Sequence, residues 1–158
     1  MASDDKKFMR RAIQLAHEGM DNNLGGPFGA VIVKNNSIIA EGNNNVTTKN
    51  DPTAHAEVVA IRKACEKLSS FQLEGCTIYT SCEPCPMCLG AIYWARPTRV
   101  VYACNRQDAA NIDFDDQFIY DELMVDMEDR KIPFEQVLRN EALTVFQAWD
   151  AKNDRTLY

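Results

Sequence analysis

"CTIYTSCEPCPMCLGAIYWARPTRVVYAC", residues 76–104, alternates between two kinds of chain. Cys76–Ser81 and Arg99–Cys104 are short runs rich in β-branched and aromatic residues, which suit strands. Between them, the stretch from Cys85 to Ala95 suits a helix, and Arg96-Pro97 stops it because the residue before a proline avoids helical backbone. Strand, helix, strand is the unit from which layered α/β folds are built.

Working outward, "FGAVIVK" and "SIIAEG" read as two more strands, joined by a tight turn at Asn35 and Asn36. Ahead of them, Phe8, Ala12, Leu15 and Gly19 trace one stripe of a first helix, capped by Ser3 or Asp5 and ending near Gly19. "NNLGGPFG" is a glycine-rich loop. Asp51 is placed to cap, and Pro52 to open, a helix running to about Leu68. Beyond Cys104, the pattern predicts a short helix around residues 116–125, a strand at "EQVLR" and a terminal helix around residues 142–153. The expected whole is one domain, residues 1–158: a three-layer α/β/α sandwich on a mixed sheet of about five strands. The segment from about residue 142 forms a C-terminal helix and tail.

Charge narrows the function. Lys plus Arg is 17 against 23 Asp plus Glu, a net −6, and the longest basic cluster is "KKFMRR" behind Asp4 and Asp5. Nucleic acid is therefore an unfavourable partner. "MASDDKK" is no secretory signal, and no apolar run approaches the roughly 18 residues that span a bilayer. The expectation is a cytoplasmic chain, whose six cysteines are thiols or metal ligands rather than disulfides.

"SCEPCPMC" holds three of those cysteines. Cys85 and Cys88 are three apart, so the first turn of a helix puts them on one side, where its positive end favours thiolates. Pro84 and Pro86 suit a helix start. Of the two histidines, His17 lies late in the first helix without a partner motif, whereas His55 stands at a helix mouth with Glu57 two residues on. Two helix N-termini facing one Zn²⁺ would supply His55, Cys85 and Cys88, leaving a fourth position for water. Cys82 is available as a fourth ligand of a closed, structural site; Glu57 weighs against that, because a buried acid beside zinc is costly unless it moves protons.

"His55-Ala56-Glu57" followed by "Pro84-Cys85-Pro86-Met87-Cys88" is the H-x-E…P-C-x-x-C signature of the zinc nucleobase deaminases. "GGPFGAVIVK", "NDPTAHAEV", "SCEPCPMCLGAIYWARP", "FDDQFIY" and "FQAWDAKNDRTLY" resemble the small bacterial guanine deaminases, from about residue 8 to Tyr158. The resemblance implies the cytidine-deaminase-like fold and one zinc per subunit on His55, Cys85 and Cys88. It implies Glu57 as proton carrier, and hydrolysis of guanine to xanthine and ammonia in purine catabolism. It further implies Asn44 and the backbone of Ala56 as hydrogen-bonding groups for the purine, Phe28 and Trp94 as apolar walls, and Asp116 as a second acid near the exocyclic amine. Tyr158 would close over the site, in some relatives from the partner subunit of a homodimer.

Taken alone, several of these segments have plainer readings. Asn43–Asn45 would be a turn, "GGPFG" a loop, "FDD" a solvated acidic corner and Trp94 a core residue. Cys65, Cys76 and Cys104 fit no ligand spacing and read as buried thiols, and Gly90 as a mark of close packing. The competing activities are a guanosine deaminase or another nucleobase deaminase. A tRNA adenosine deaminase shares the central block, including "PMCLGAI", but needs a basic grip on RNA. A non-catalytic zinc domain that binds a partner is the competitor from another class.

Overall fold

The structure, a computed structural model, describes residues 2–158, with side chains from Asp4 onward. The chain falls into two compact units, the first ending at Asp116 and the second spanning Gln117–Tyr158. In the first, α1 (Ala2–Asp21) precedes the hairpin β1 (Gly29–Lys34) and β2 (Ser37–Asn43). Then follow α2 (Val46–Lys49), α3 (Ala56–Leu68), β3 (Cys76–Cys82), α4 (Pro86–Ala95), β4 (Arg99–Cys104) and α5 (Arg106–Ala110). The hairpin turn is as expected: Asn35 and Asn36 both adopt positive φ, 49° and 59°, which asparagine tolerates. Arg96, also left-handed at φ 54°, closes α4 one residue before Pro97.

The sheet is mixed, in the order β2-β1-β3-β4. β1 runs antiparallel to both β2 and β3, while β3 and β4 are parallel. Because side chains alternate along a strand, the sheet sorts its residues to two faces. Val31, Val33 and Tyr79 pack with Phe8, Ala12 and Leu15 of α1. Ala30, Ile32 and Ile78 pack with Ala56, Ala60 and Ala64 of α3 and with Ile92 and Ala95 of α4. The result is the three-layer sandwich, with four strands rather than five. No helix among the described residues is long and apolar enough to cross a membrane.

Small residues set how closely α3 approaches the sheet. A Cβ on Gly42 would stand 2.3 Å from the Ala56 carbonyl oxygen and 2.8 Å from the Ala60 nitrogen, both backbone atoms that cannot swing aside. Gly42→Ala is expected to cost about 1–3 kcal/mol, as overpacked sites do, measured by denaturant unfolding. Gly90 behaves otherwise than expected: a Cβ there meets nothing within 4 Å, so on α4 it marks no close packing.

The helix starts differ from expectation for definable reasons. α1 already begins at Ala2, so Ser3 and Asp5 lie inside it and neither is its cap. Asp5 instead accepts hydrogen bonds from Tyr79 Oη at 2.7 Å and from both Arg99 terminal nitrogens at 3.0 and 2.8 Å. The Arg99 bonds, then Tyr79, hold its pKa at about 2, below the ordinary 3.8. A depressed folded-state value stabilises above the unfolded pKa and is lost as pH falls through the folded one. The wild-type advantage over Asp5→Asn in urea midpoint should therefore be constant above about pH 4 and shrink toward pH 2. A constant difference across that window would remove this ion pair from the acid response.

α3 begins at Ala56, four residues after Pro52, because Asp51 does not cap it. The Asp51 carboxylate accepts from Thr53 N at 2.9 Å and Thr53 Oγ1 at 2.6 Å, closing a local turn that keeps residues 51–55 out of the helix. The second unit contains α6 (Gln117–Met124), a single 3₁₀ turn at Met127–Asp129 and α7 (Arg139–Ala151). "EQVLR" forms no strand. Leu138 adopts φ 54°, which breaks an extended run, and α7 starts at the next residue.

Candidate metal centre and active site

One end of the sheet gathers the chemistry. β1 starts there after Phe28, β2 ends there before Asn44, and the parallel pair β3 and β4 ends there with Cys82 opposite Cys104. Ligand crevices of open α/β sheets lie beyond the carboxyl ends of such strands. The first turns of α3 and α4 meet at this end. His55 is the N-cap residue of α3, and Cys85 that of α4 with Pro86 at its first position. Both caps have extended backbone, which turns their side chains off the helix mouths toward one another.

The His55 Nδ1 atom lies 3.5 Å from Cys85 Sγ and 3.5 Å from Cys88 Sγ. All three donor atoms fall within 4.8 Å of one another. Tetrahedral zinc bonds of about 2.3 Å to sulfur and about 2.05 Å to nitrogen put those two ligands about 3.6 Å apart, so the residues fit the ion. Among the described residues, these three are the group that converges in this way. Cys82 does not join them: its sulfur points to the Asn105 carbonyl oxygen at 3.7 Å, and burial pushes its thiol up to about 12. The donor set is the open, three-ligand kind.

The thiols share protons unequally. A hydrogen bond from Cys88 holds Cys85 at a pKa of about 4, against burial and with help from His55. Cys88, whose proton is drawn to Cys85, is raised. The hydrogen bond with Cys85 also raises His55. One thiolate is thus present at neutral pH before any cation arrives.

Glu57 sits in the second position of α3, 6% exposed. Its Oε2 lies 3.4 Å from Cys88 Sγ and its Oε1 accepts a hydrogen bond from Thr80 Oγ1 at 3.0 Å. Burial raises its pKa above the usual carboxylate value. That is the direction a proton carrier working near neutrality requires.

Asn44 is buried, and its side-chain oxygen accepts from the backbone N–H groups of Gly26 at 3.3 Å and Val46 at 3.1 Å. Two donors on one atom identify it as the oxygen, leaving the NH₂ as the group's donor capacity. The glycine loop wraps tightly here, since a Cβ on Gly25 would fall 2.2 Å from Asn44 Oδ1. Ala56 is fully buried at the first position of α3, where a helix leaves its N–H without an intrahelical partner. Phe28 meets Phe114 edge to face, centroids 5.0 Å apart at 88°. Asp116 is half-buried, and burial, with the Cys85 charge as a further cause, raises its carboxyl group.

Trp94 stands exposed on α4, about 9 Å along the axis from Cys88 at 1.5 Å per residue. Tyr158 ends the second unit. His17 is exposed on α1. Cys76 is buried and Cys65 half-buried against the same core, but Cys104 is exposed on the edge strand β4, contrary to its reading as a buried thiol. Two contributors went unread in the sequence. Phe114 stood in "FDD" with no periodicity to mark it, whereas Thr80 shares the α3-facing side of β3 with Ile78, which alternation would have revealed.

Residues 2–104 match the sequence model of the family described as "Cytidine and deoxycytidylate deaminase zinc-binding region". The chain is 64% identical over 142 residues to the guanine deaminase of Bacillus subtilis (strain 168), covering 90% of this chain and 91% of that one. The solved structure of guanine deaminase from Bacillus subtilis superposes with a TM-score of 0.95 at 60% identity, covering 97% and 98% of the two chains. A tRNA-specific adenosine deaminase of the same strain is 40% identical over 100 residues, covering 63% of this chain and 62% of that one.

Proposed function

The chain belongs to the zinc-dependent cytidine and deoxycytidylate deaminase family, and we propose that within it the protein hydrolyses guanine to xanthine and ammonia. The observation that carries the choice of base is the 64% identity, over nine-tenths of both chains, to a guanine deaminase. The three-donor centre with a buried acid against it supplies the chemistry.

His55, Cys85 and Cys88 would hold the zinc, which when bound supplies a Lewis acid and a water acidic enough to lose its proton near neutral pH. Glu57 is placed to take a proton from the attacking water on its carboxylate and deliver it to the ring nitrogen beside C2 as the water oxygen bonds to C2. It then passes the remaining proton of that water to the exocyclic amine, the bond from C2 to the exocyclic nitrogen breaks, ammonia leaves, and a C2 carbonyl remains. Asn44 offers its NH₂ to an acceptor on the purine edge, and the Ala56 N–H a second donor. Phe28 lies against the ring plane, with Trp94 as a further apolar wall. Asp116 accepts from the exocyclic amine. Matched partners matter because the polar edge of a buried base is costly to leave unpaired.

The same reading makes the whole chain one deaminase domain acting in cytoplasmic purine catabolism as a homodimer. The segment from about residue 142 is exchanged, so that Tyr158 of one subunit closes the site of the other. The second unit supports this by leaving the large apolar side chains of Phe118, Met124, Ile132, Val137 and Phe146 exposed, side chains that association would cover. Sedimentation velocity at micromolar concentration should give a dimer; a monomer would end the exchanged-lid assignment.

Ammonia release, with ultraviolet monitoring, from zinc-loaded protein offered guanine, guanosine, adenine, cytosine and cytidine tests the activity. Rapid loss of guanine alone is expected. Turnover of guanosine instead would keep the zinc chemistry and overturn the choice of substrate. Consumption of none would overturn both.

A further inference from the structure

Thr80 lies in β3 at 1% exposure, between two residues whose polar groups have evident structural tasks. Tyr79 bonds to Asp5, and Ser81 Oγ accepts the Gly29 N–H at 3.0 Å. The Thr80 hydroxyl faces two acceptors at once, Glu57 Oε1 at 3.0 Å and the Cys82 carbonyl oxygen at 3.0 Å. It carries one proton and two lone pairs, so it can donate to only one of them at a time.

A bond donated to Oε1 ties down one oxygen of the Glu57 carboxyl group, and Oε2 is left 3.4 Å from Cys88 Sγ, facing the metal donors. The restraint is needed because the last torsion of a glutamate is broad, so backbone position alone does not fix where its two oxygens point. A strand at this position has no need of the hydroxyl; valine has nearly the same shape and an equal liking for strands.

We propose that Thr80 is a positioning residue for the deamination, holding the Glu57 carboxyl group in the orientation that lets it carry protons. The inference rests on the reading of Glu57 as proton carrier of a guanine deaminase. It makes the side chain at position 80 part of the catalytic arrangement without contact to substrate.

The test compares zinc-loaded Thr80→Val and Thr80→Ser with wild type, by steady-state kinetics on guanine and by crystal structures of all three. Thr80→Val should lower kcat by about 10- to 100-fold, the scale of a misplaced catalytic group, with KM little changed and one zinc per chain retained. Its Glu57 carboxyl group should be rotated or split between orientations, and Thr80→Ser should restore both kcat and orientation. Thr80→Ala serves the same comparison if valine prevents folding. A Glu57 that superposes on wild type in the hydroxyl-free variant, or an unchanged kcat, overturns the proposal. Failure of wild type itself to consume guanine would sink the assigned reaction instead, while the Glu57 orientations would still decide the role of Thr80.

Discussion

Glu57→Gln should abolish turnover of guanine and leave zinc content and fold unchanged. Glutamine keeps the size of the side chain and its Oε1 as acceptor for the Thr80 hydroxyl, which now lies 3.0 Å from the glutamate. It cannot take a proton from water or give one to the ring. General acid–base catalysis contributes about 10²- to 10⁴-fold per positioned group. Because one carboxyl group serves both the uptake and the delivery, the loss in kcat should lie at the upper end, about 10⁴-fold. Burial raises the folded-state pKa of Glu57, so in zinc-free protein its charge opposes folding as pH rises through that value. The zinc-free glutamine variant should accordingly unfold at equal or higher denaturant than wild type at neutral pH. Steady-state rates, metal analysis and denaturant unfolding measure the three quantities. A variant that kept a tenth of wild-type activity would require a different proton carrier.

How much of this was visible beforehand follows from the range of the interactions involved. The four strands, the asparagine turn and the stop at Arg96 are written in local chemistry, and they appear where the residues put them. The metal donors were legible because Cys85 and Cys88 share one helix turn and His55 sits at another helix mouth. α3 starts later than its sequence predicts because Asp51 has two local uses open to it, and the turn with Thr53 wins over the cap. The strand at "EQVLR" failed for the opposite reason: a strand is defined by its partner, and the segment's composition carries no information about whether one is there. Cys104 resembles Cys76 in its neighbours, but only the strand order tells which lies at an edge. Thr80 and Glu57 are 23 residues apart, and their bond depends on the register between β3 and α3.

Cys88→Ser and Cys82→Ser should separate completely, although both remove a buried sulfur. Cys88 lies at the third position of α4 with its sulfur 3.5 Å from His55 Nδ1, whereas the Cys82 sulfur faces the Asn105 carbonyl. A serine at position 88 offers zinc a neutral, weakly binding hydroxyl in place of a thiolate, so zinc and turnover should both be lost. A serine at position 82 should keep one zinc and an activity near wild type. Stability gives an independent readout. Zinc held at about 1,000 times its dissociation constant stabilises a folded site by about 4 kcal/mol, and the wild type and Cys82→Ser should show that rise while Cys88→Ser should not. Protons report the same chemistry. Cys85 is already ionised at neutral pH, with a pKa of about 4, but Cys88 holds its proton and must release it to bind metal. Zinc uptake in weak buffer should therefore acidify the solution, and zinc affinity should rise with pH. If Cys82→Ser lost the metal as well, the centre would be a closed four-ligand site with no position for water, and hydrolysis by this route would be impossible.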